Sequence, residues 1–572
     1  MEQNQGDTSL YTSSDALTDA LVDAGVTHIF LNSGTDYPPI IESWAKYESM
    51  GLNKPEIIIS PHEYAALSAA QGFAQLTGKA QAVFVHVDVG TQNLGGALHN
   101  AYRCRVPVYL FAGVSPYTIE GECVGGRNAP IQYLQNVGDQ TGIVRGYTKT
   151  AGEFHSGKNV RQMVFRSLQI AQSDPKGPVY TVASREVLEE ESCRGQTDYE
   201  EWSPVAPMGL DDDSVDILTN ALLSAQKPLL ITSYLGRNTE SVGELVRLCE
   251  TLAIPVVESQ QSYMNFPGNN DLHLGFDAHS MIPDADVIVV IDSDIPWIPA
   301  HARPNQNCRV FYLDVDPLKE DIPIWYIPSE RFIKADSHTA LKQLNKHLEA
   351  MAFDRDHIEA RRKQLTGMHQ VMRESWAAEP ADGKVMTAAF VAKTLSDIID
   401  EDTIILNEAI TNCPAVDRHL PRTKPGTLFS SGGSSLGWHG GAAIGMKLAA
   451  PEKDIVALTG DGTFIFSCPT AVYWMARKYH TPFMTVIFNN QGWNAPKLIT
   501  KGEHPDGFAA RQNAFWTSFD PPAQLDKVAE AAGGAFARMV SDPNDLKAAL
   551  LAGREAVKNG ISAVINVMTA SV

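Results

Sequence analysis

The 572 residues are 44% apolar and 20% charged, which suits a globular chain of roughly three to four domains. Lysine and arginine number 46 against 67 aspartates and glutamates, a net charge of −21 without a basic cluster, which argues against nucleic acid or an anionic membrane as partner. Glycine (43) and proline (33) are near average, so collagenous and disordered classes are excluded, and no apolar run approaches the ~18 residues of a membrane span. The first twenty residues are polar and acidic, unlike a signal or transit peptide. Seven cysteines, at 104, 123, 193, 249, 308, 413 and 468, are scattered and never spaced as CxxC. They read as reduced thiols of a cytosolic protein, with neither a zinc site nor a disulfide framework.

In chain order, short apolar β-rich runs alternate with helical stretches, the pattern of parallel α/β layers covered on both faces. The predicted strands are 27–31, 82–87, 106–112, 228–232, 287–291, 310–314, 403–406, 455–459 and 483–488. An acidic stretch at 186–207 reads as a linker, and a charged stretch at 346–382, helical in its first part, reads as a second boundary. They divide the chain into blocks 1–185, 205–345 and 383–572. The outer blocks share a faint pattern: a small-residue helix (65–74 and 440–449), an apolar strand, then a glycine-bearing loop. Those loops are Val89-Gly90-Thr91 and Gly460-Asp461-Gly462-Thr463. Two related sheets in one chain are expected.

The strongest signal is in the last block. Strand 455–459 ends at Gly460-Asp461-Gly462, a helix is predicted over 467–479, and strand 483–488 ends at Asn489-Asn490-Gln491-Gly492. Ligands of doubly wound sheets sit at the carboxyl ends of strands, so a βαβ crossover brings Asp461 and Asn490 to one edge. A carboxylate, an amide oxygen and a backbone carbonyl suit Mg²⁺. The glycines let the backbone approach a diphosphate, whose charge the following helix start favours. Read alone, GDG is a tight turn and Asn-Asn a strand cap. The pair together resembles the cofactor motif of thiamine-diphosphate enzymes, which begins GDG and ends NN; here residues 463–488 separate the two. The resemblance implies that Asp461, the Asn490 side chain and the Gly492 carbonyl hold Mg²⁺ against the diphosphate, with Gly460, Gly462 and Thr463 at the phosphates.

The first block carries the second half of that resemblance. Ser60-Pro61-His62-Glu63, followed by Ala66, Ala70, Gly72, Phe73-Ala74 and Thr77-Gly78-Lys79, looks like the family's HE-xx-A helix and TGK turn. A glutamate opening a helix is commonly a capping residue. In this family it hydrogen-bonds the aminopyrimidine ring and activates the cofactor. Segment 430–438, followed by Ala442-Ala443-Ile444-Gly445, looks like the family's glycine-rich loop. By resemblance Leu436 wedges the cofactor into its bent shape and the Ser434 carbonyl faces the pyrimidine. Asn407-Glu408-Ala409-Ile410-Thr411 occupies the place of a diphosphate-contacting loop, with Thr411 as hydroxyl donor. Asn32-Ser33-Gly34-Thr35 corresponds to the family's x-Pro-Gly-[Ser/Thr] turn, with Ser33 in place of proline and Thr35 at the cofactor-contacting position.

His86, in His86-Val87-Asp88-Val89-Gly90-Thr91, matches a histidine of benzoylformate decarboxylase-like members, and its side chain suits proton relay near neutral pH. A capped structural histidine is the other reading. His301 is a weaker second relay, and Trp493 either walls the site or is an ordinary packed aromatic. In the middle block, 285–291 and 311–317 look like the family's Rossmann-like central domain, where acetohydroxyacid synthases hold FAD. Segment 230–236 lacks the glycine cluster, which puts FAD in doubt.

The resemblance implies an α/β fold of three doubly wound parallel-sheet domains: pyrimidine-binding (1–185), central (205–345) and diphosphate-binding (383–572). It implies a thiamine-diphosphate- and Mg²⁺-dependent decarboxylase or acetolactate-synthase-like carboligase acting on a 2-oxo acid. Glu63 and His86 are its catalytic residues, in a homodimer at minimum and a homotetramer as the expected form. A 2-hydroxyacyl-CoA lyase or oxalyl-CoA-type decarboxylase stays open, as does a non-catalytic relative that binds the cofactor.

Overall fold

The computed structural model describes residues 10–195, 198–379 and 386–569. Gln196 and Thr197 of the first predicted linker, and residues 380–385 around the end of the second and the start of the third block, lie outside the described residues.

Seventeen strands are formed among the described residues, and they build three sheets. The first contains β1 (His28–Leu31), β2 (Glu56–Ile59), β3 (Gln81–Val85), β4 (Val108–Gly113), β5 (Thr150–Glu153) and β6 (Val179–Ala183). The second contains β7 (Pro228–Thr232), β8 (Val256–Glu258), β9 (Val287–Ile291), β10 (Arg309–Asp314) and β11 (Arg331–Lys334). The third contains β12 (Ile404–Glu408), β13 (Leu428–Phe429), β14 (Ile455–Gly460), β15 (Met484–Asn489), β16 (Phe536–Val540) and β17 (Ala563–Met568). Every strand pairing within these sheets is parallel. The protein is therefore an α/β chain of three doubly wound parallel sheets. Strands such as Val287–Ile291 are buried along their whole length. That is why they read as unbroken apolar runs rather than alternating ones.

The expected relation between the outer sheets is visible in their connectivity. The first runs β2-β1-β3-β4-β6-β5 and the third β13-β12-β14-β15-β17-β16. Renumbered within each sheet, both are 2-1-3-4-6-5. The second runs β11-β10-β9-β7-β8, a 2-1-3-4-5 order. In each sheet the first and third strands are neighbours, and the crevice outside their carboxyl ends is the topological switch point where ligands bind.

The chain forms two compact units. One comprises Met1–Val205 with Gly432–Pro451 and Ser467–Thr481; the other comprises Ala206–Ser431, Glu452–Phe466 and Pro482–Val572. In the first unit, helix Glu63–Thr77 packs on helix Trp438–Ala449. Small residues in both sequences let the two backbones approach. A Cβ at Gly445 would stand 1.8 Å from the Ala69 carbonyl oxygen, and one at Gly72 would stand 2.4 Å from that of Ala442. Backbone atoms cannot rotate away, so Gly445→Ala forces the helices apart and destabilises by about 1–3 kcal/mol or more. Gly243, inside helix Thr239–Leu252, has open space around it, and Gly243→Ala stabilises by about 0.5–1 kcal/mol. Thermal unfolding of the two variants should move in opposite directions.

Two predicted loops are helices. Val89-Gly90-Thr91 lies inside helix Val87–Asn93, which His86 enters in extended conformation and whose Gly90 N–H bonds the His86 carbonyl at 2.7 Å. Gly460 ends β14, and Asp461–Phe466 is a helix that starts without a connecting loop. The single helix predicted over 467–479 is instead Pro469–Lys478, separated from the preceding one by Ser467 and Cys468. Cys468 has φ +55° and Pro469 follows it, which breaks helical continuity. Both differences have one origin: glycine was read as a loop former where it serves close packing at a strand-to-helix junction. None of the seven cysteines, all of which lie among the described residues, is in a disulfide. No helix among the described residues is long and apolar enough to cross a membrane.

Candidate active site

In the second unit, the register of β14 with β15 pairs Gly460 with Phe488. Asp461 and the Asn490–Gly492 turn therefore emerge side by side at the carboxyl edge of the third sheet. Asp461 is 4% exposed. Its Oδ1 accepts the Gly462 N–H and its Oδ2 the Gly492 N–H, both at 2.9 Å. Burial pushes the Asp461 carboxyl above its ordinary value, against the lowering effect of these backbone donors. Asn490 is half-buried, and its amide makes no hydrogen bond to a described residue. Gln491 has φ +62°, which turns the chain so that Gly492 faces back toward Asp461.

Trp493 covers this junction. A Cβ at Gly462 would meet its ring at 2.3 Å, and the ring stands edge-on to Phe466 and Phe519 with centroids 5.7 and 5.0 Å away. The sequence left Trp493 as a wall or a packed aromatic; it packs on the start of the Asp461 helix. Gly460 is different, since the nearest atom to an added Cβ is Thr463 Oγ1 at 3.6 Å, which leaves the backbone open to a ligand. Thr463 is buried on the first turn of the helix. Thr411 lies in the 3₁₀ turn Ile410–Asn412 that follows β12 and packs against β14. Asp461, Gly460, Gly462, Thr463, Thr411, Asn490 and Gly492 thus gather at one sheet edge.

The donor chemistry there is one carboxylate with amide and carbonyl oxygens. Such a set fits a hard cation that shares its coordination with a phosphate. Among the described residues, no group of three or more His, Cys, Asp or Glu side chains is placed to hold a metal. A carboxylate-rich or thiolate cage is therefore not on offer, whereas the Asp461 edge is.

The first unit carries the other predicted residues. Glu63 is the first residue of helix Glu63–Thr77, which His62 caps by accepting the Tyr64 N–H at 3.1 Å. Glu63 is 8% exposed, and its Oε2 accepts from Asn93 Nδ2 at 3.2 Å. Gly90 leaves room for it, because a Cβ there would stand 3.2 Å from Oε1. The next residue, Tyr64, donates its hydroxyl to the Leu436 carbonyl at 2.6 Å. Asn100 clamps the same glycine-rich loop from both sides, donating to the Ser435 carbonyl at 2.8 Å and accepting the Ser435 N–H at 3.0 Å. Ser434 is exposed and meets His99 Nε2 through its N–H at 3.2 Å and its hydroxyl at 3.0 Å. Glu63, Leu436 and Ser434 are thereby held in one neighbourhood.

His86 sits at the end of β3, at the switch point of the first sheet, opposite the turn that contains Thr35. Thr35 itself is exposed, and its carbonyl accepts from Arg185 Nη1 at 3.4 Å. His86 Nδ1 meets Asp36 Oδ1 at 2.5 Å, and Nε2 meets Gln135 Oε1 at 3.1 Å. The bond from Asp36 raises the His86 pKa above its ordinary value, burial opposes it, and Asp36 charge, Gln135 and Asp88 add to the rise. The sequence reading missed Asp36, Asn93, Asn100, Tyr64 and Gln135. Asp36 alone carried a local signal, a charged residue directly after the Gly34-Thr35 turn.

His301 joins neither group. It lies on an exposed turn of the second unit, edge-on to His279 at 5.3 Å between ring centroids.

At the carboxyl edge of the second sheet, the crevice is filled by the protein's own side chains. Lys319, 1% exposed, pairs with Asp314 at 2.6 Å and Asp294 at 2.9 Å. Tyr234 donates its hydroxyl to Asp314 and receives the Lys319 ammonium at 2.8 Å. Ser233 and Ser293 hydroxyls meet at 2.6 Å. Asp292, fully buried, is pushed up to about 6 by burial, with Arg237 opposing. This crevice therefore holds a buried ion pair, which is costly to break.

Two family models match the chain. "Thiamine pyrophosphate enzyme, N-terminal TPP binding domain" matches residues 11–143, and "Thiamine pyrophosphate enzyme, C-terminal TPP binding domain" matches 409–567. Together they span just over half of the sequence and contain both groups of site residues. The chain belongs to the thiamine pyrophosphate enzyme family.

Relatives within this family come from both of its chemical branches. Acetolactate synthase of Bacillus subtilis is 24% identical over 496 residues, 84% of this chain and 82% of that one. Benzoylformate decarboxylase of Pseudomonas aeruginosa is 23% identical over 499 residues, 82% of this chain and 84% of that one. In structure, the thiamine diphosphate-dependent 4-hydroxybenzoylformate decarboxylase of Rhodococcus jostii RHA1 superposes with TM-score 0.79 at 20% identity, covering 98% of this chain and 99% of the other. Benzoylformate decarboxylase of Polynucleobacter necessarius gives 0.81 at 19% identity, with 98% and 99% covered. Acetolactate synthases and 2-oxo acid decarboxylases are thus what this thiamine pyrophosphate enzyme is similar to. Its N- and C-terminal TPP-binding domains make thiamine diphosphate its cofactor.

Proposed function

We propose that this enzyme is a thiamine-diphosphate- and Mg²⁺-dependent lyase or carboligase that breaks the bond between the keto carbon and the carboxylate of a 2-oxo acid. The observation that carries this reading is the buried Asp461 carboxylate, fixed by the Gly462 and Gly492 N–H groups beside an unbonded Asn490 amide. Asp461, the Asn490 side chain and the Gly492 carbonyl would hold Mg²⁺. Gly460, Gly462, Thr463 and Thr411 would surround the phosphates and Ser434 and Leu436 the pyrimidine end, with Thr35 a further cofactor-binding residue. When bound, thiamine diphosphate supplies the electron sink for the bond cleavage. Glu63 would hydrogen-bond the pyrimidine ring through its carboxyl, and His86 would move protons at Nε2.

The domains are proposed as 1–185, 205–345 and 383–572, the assembly as a homodimer at minimum and a homotetramer as its full form, and the location as the cytoplasm. A CoA-thioester substrate is disfavoured by the absence of a basic cluster in a chain of net charge −21. FAD is disfavoured by the missing glycine cluster of segment 230–236 and by the buried ion pair at the crevice of the second sheet. A purely cofactor-binding role is disfavoured by Glu63, whose buried carboxylate is unnecessary for binding alone.

The test is CO₂ release from pyruvate and benzoylformate, with and without an aldehyde acceptor, by protein stripped and then reloaded with thiamine diphosphate and Mg²⁺. Turnover that requires both additions is expected. Aldehyde product alone marks a decarboxylase, and a 2-hydroxy ketone marks a carboligase. Binding of both additions without CO₂ release from any member of a 2-oxo acid panel would sink the proposal.

A further inference from the structure

We infer that Asp36 is a positioning residue that holds His86 as a proton-donating imidazolium, and that Gln135 covers the donating nitrogen until substrate displaces it. The inference rests on the reading of His86 as the proton-handling residue and gives that residue a direction.

The contacts define the protonation. Nδ1 faces a carboxylate oxygen at 2.5 Å, and Nε2 faces the Gln135 amide oxygen at 3.1 Å. Both partners are acceptors, so both ring nitrogens donate, which only the charged ring can do. Asp36 is itself fixed. It is 4% exposed, and its Oδ2 accepts the Gly113 N–H at 3.0 Å and the Val87 N–H at 3.4 Å. These donors fix Oδ2 and aim Oδ1 at the ring.

Glycines make room for this pair on both sides. A Cβ at Gly34 would lie 1.9 Å from His86 Nδ1, and one at Gly113 would lie 2.3 Å from Asp36 Oδ2. Neither glycine has a positive φ, so backbone freedom does not account for them, whereas access of the two side chains to each other does. The other charged group near the ring is Asp88, on the helix His86 opens, which also favours the imidazolium. Gln135 is neutral and only 5% exposed at the end of the short helix Ile131–Leu134.

A role follows. Nδ1 stays bonded to Asp36, so the proton leaves from Nε2, to a substrate oxygen or carbon that gains electron density. The neutral ring then takes a proton from solvent before the next cycle. An Asp–His pair of this kind fixes ring orientation and stabilises the charged form. Because the folded value is raised above 6.5, the pair's contribution to stability is fully present below about pH 6.5 and is lost as pH rises through the folded midpoint.

The experiment is an NMR titration of isotope-labelled histidine in the holoenzyme, His86 being assigned by its loss in His86→Ala, alongside the pH profile of CO₂ release. In the parent protein His86 should titrate above an ordinary histidine, and in Asp36→Asn, which can still accept from Gly113 and Val87, at lower pH. The alkaline limb of the rate profile should move down with it, activity above the limb falling about tenfold per pH unit. Asp36→Glu should restore part of the shift. A parent His86 that titrates at or below the ordinary value overturns the inference even if Asp36→Asn does not fold, and so does an unchanged midpoint in Asp36→Asn. A midpoint that moves while the rate profile stays put leaves the Asp36 pairing intact and refutes the proton-handling role of His86.

Discussion

Replacing Glu63 by glutamine should lower turnover by about 10²–10⁴-fold while leaving thiamine diphosphate bound. Glutamine keeps the size of the side chain and one acceptor oxygen, so the bond from Asn93 Nδ2 survives. What it lacks is a carboxyl that can hold and release a proton. The substitution is structurally mild, because Glu63 is the first residue of its helix and His62 provides the cap. Separating chemistry from binding takes two measurements. Calorimetry should give cofactor affinity within a few-fold of the parent, and exchange of the thiazolium proton into D₂O should slow in step with turnover. Equal turnover in Glu63→Gln would remove Glu63 from the mechanism. Loss of binding together with turnover would make it a structural contact.

The second large effect belongs to Asp461. Removing a residue that merely orients a metal ligand costs about 10–100-fold in affinity, so Asp461→Ala, which would delete the proposed direct ligand, should weaken Mg²⁺-dependent cofactor binding by more than about 100-fold. The loss has a signature that a folding defect does not share. Burial disfavours the Asp461 charge, but its carboxylate accepts the Gly462 and Gly492 N–H groups, so its removal costs the metal-free protein about 1–3 kcal/mol. Thermal unfolding of the metal-free variant should therefore fall modestly below that of the metal-free parent, whereas the stabilisation gained on adding Mg²⁺ and thiamine diphosphate should disappear altogether. A variant that is equally stabilised by the pair of ligands would show that the cation is held elsewhere. Asn490→Ala should weaken the same binding less, because its amide contributes one neutral oxygen.

Much of this was legible in the chain itself. Strands Pro228–Thr232 and Val287–Ile291 are where their apolar runs place them, since a buried parallel strand has no polar face to blur its ends. Other strands were invisible. Glu56–Ile59 and Phe536–Val540 lie at or next to sheet edges, and their exposed positions dilute the apolar signal. Glycine was the main source of misreading. Gly90 and Gly462 sit within helices because Glu63 and Trp493 need the space a Cβ would take, a reason that lies far away in sequence.

The sequence by itself determined the chemistry on offer. Gly460-Asp461-Gly462 with Asn489-Asn490, and Glu63 opening an alanine-rich helix, are local patterns whose residue types limit what they can hold. Strand order is not local, and only the tertiary structure decided it. β1 and β3 are neighbours because β2 takes the outer edge, and that places Asp36 against His86 across 50 positions of chain. In the third sheet the Asp461 and Asn490 strands, β14 and β15, lie side by side as the βαβ crossover read from the sequence places them. Periodicity reports which face of a segment is buried. It does not report which other segment covers that face, because burial is satisfied by any apolar partner of the right shape. The partner of His86, and with it the charge His86 carries, was therefore available only from the folded chain.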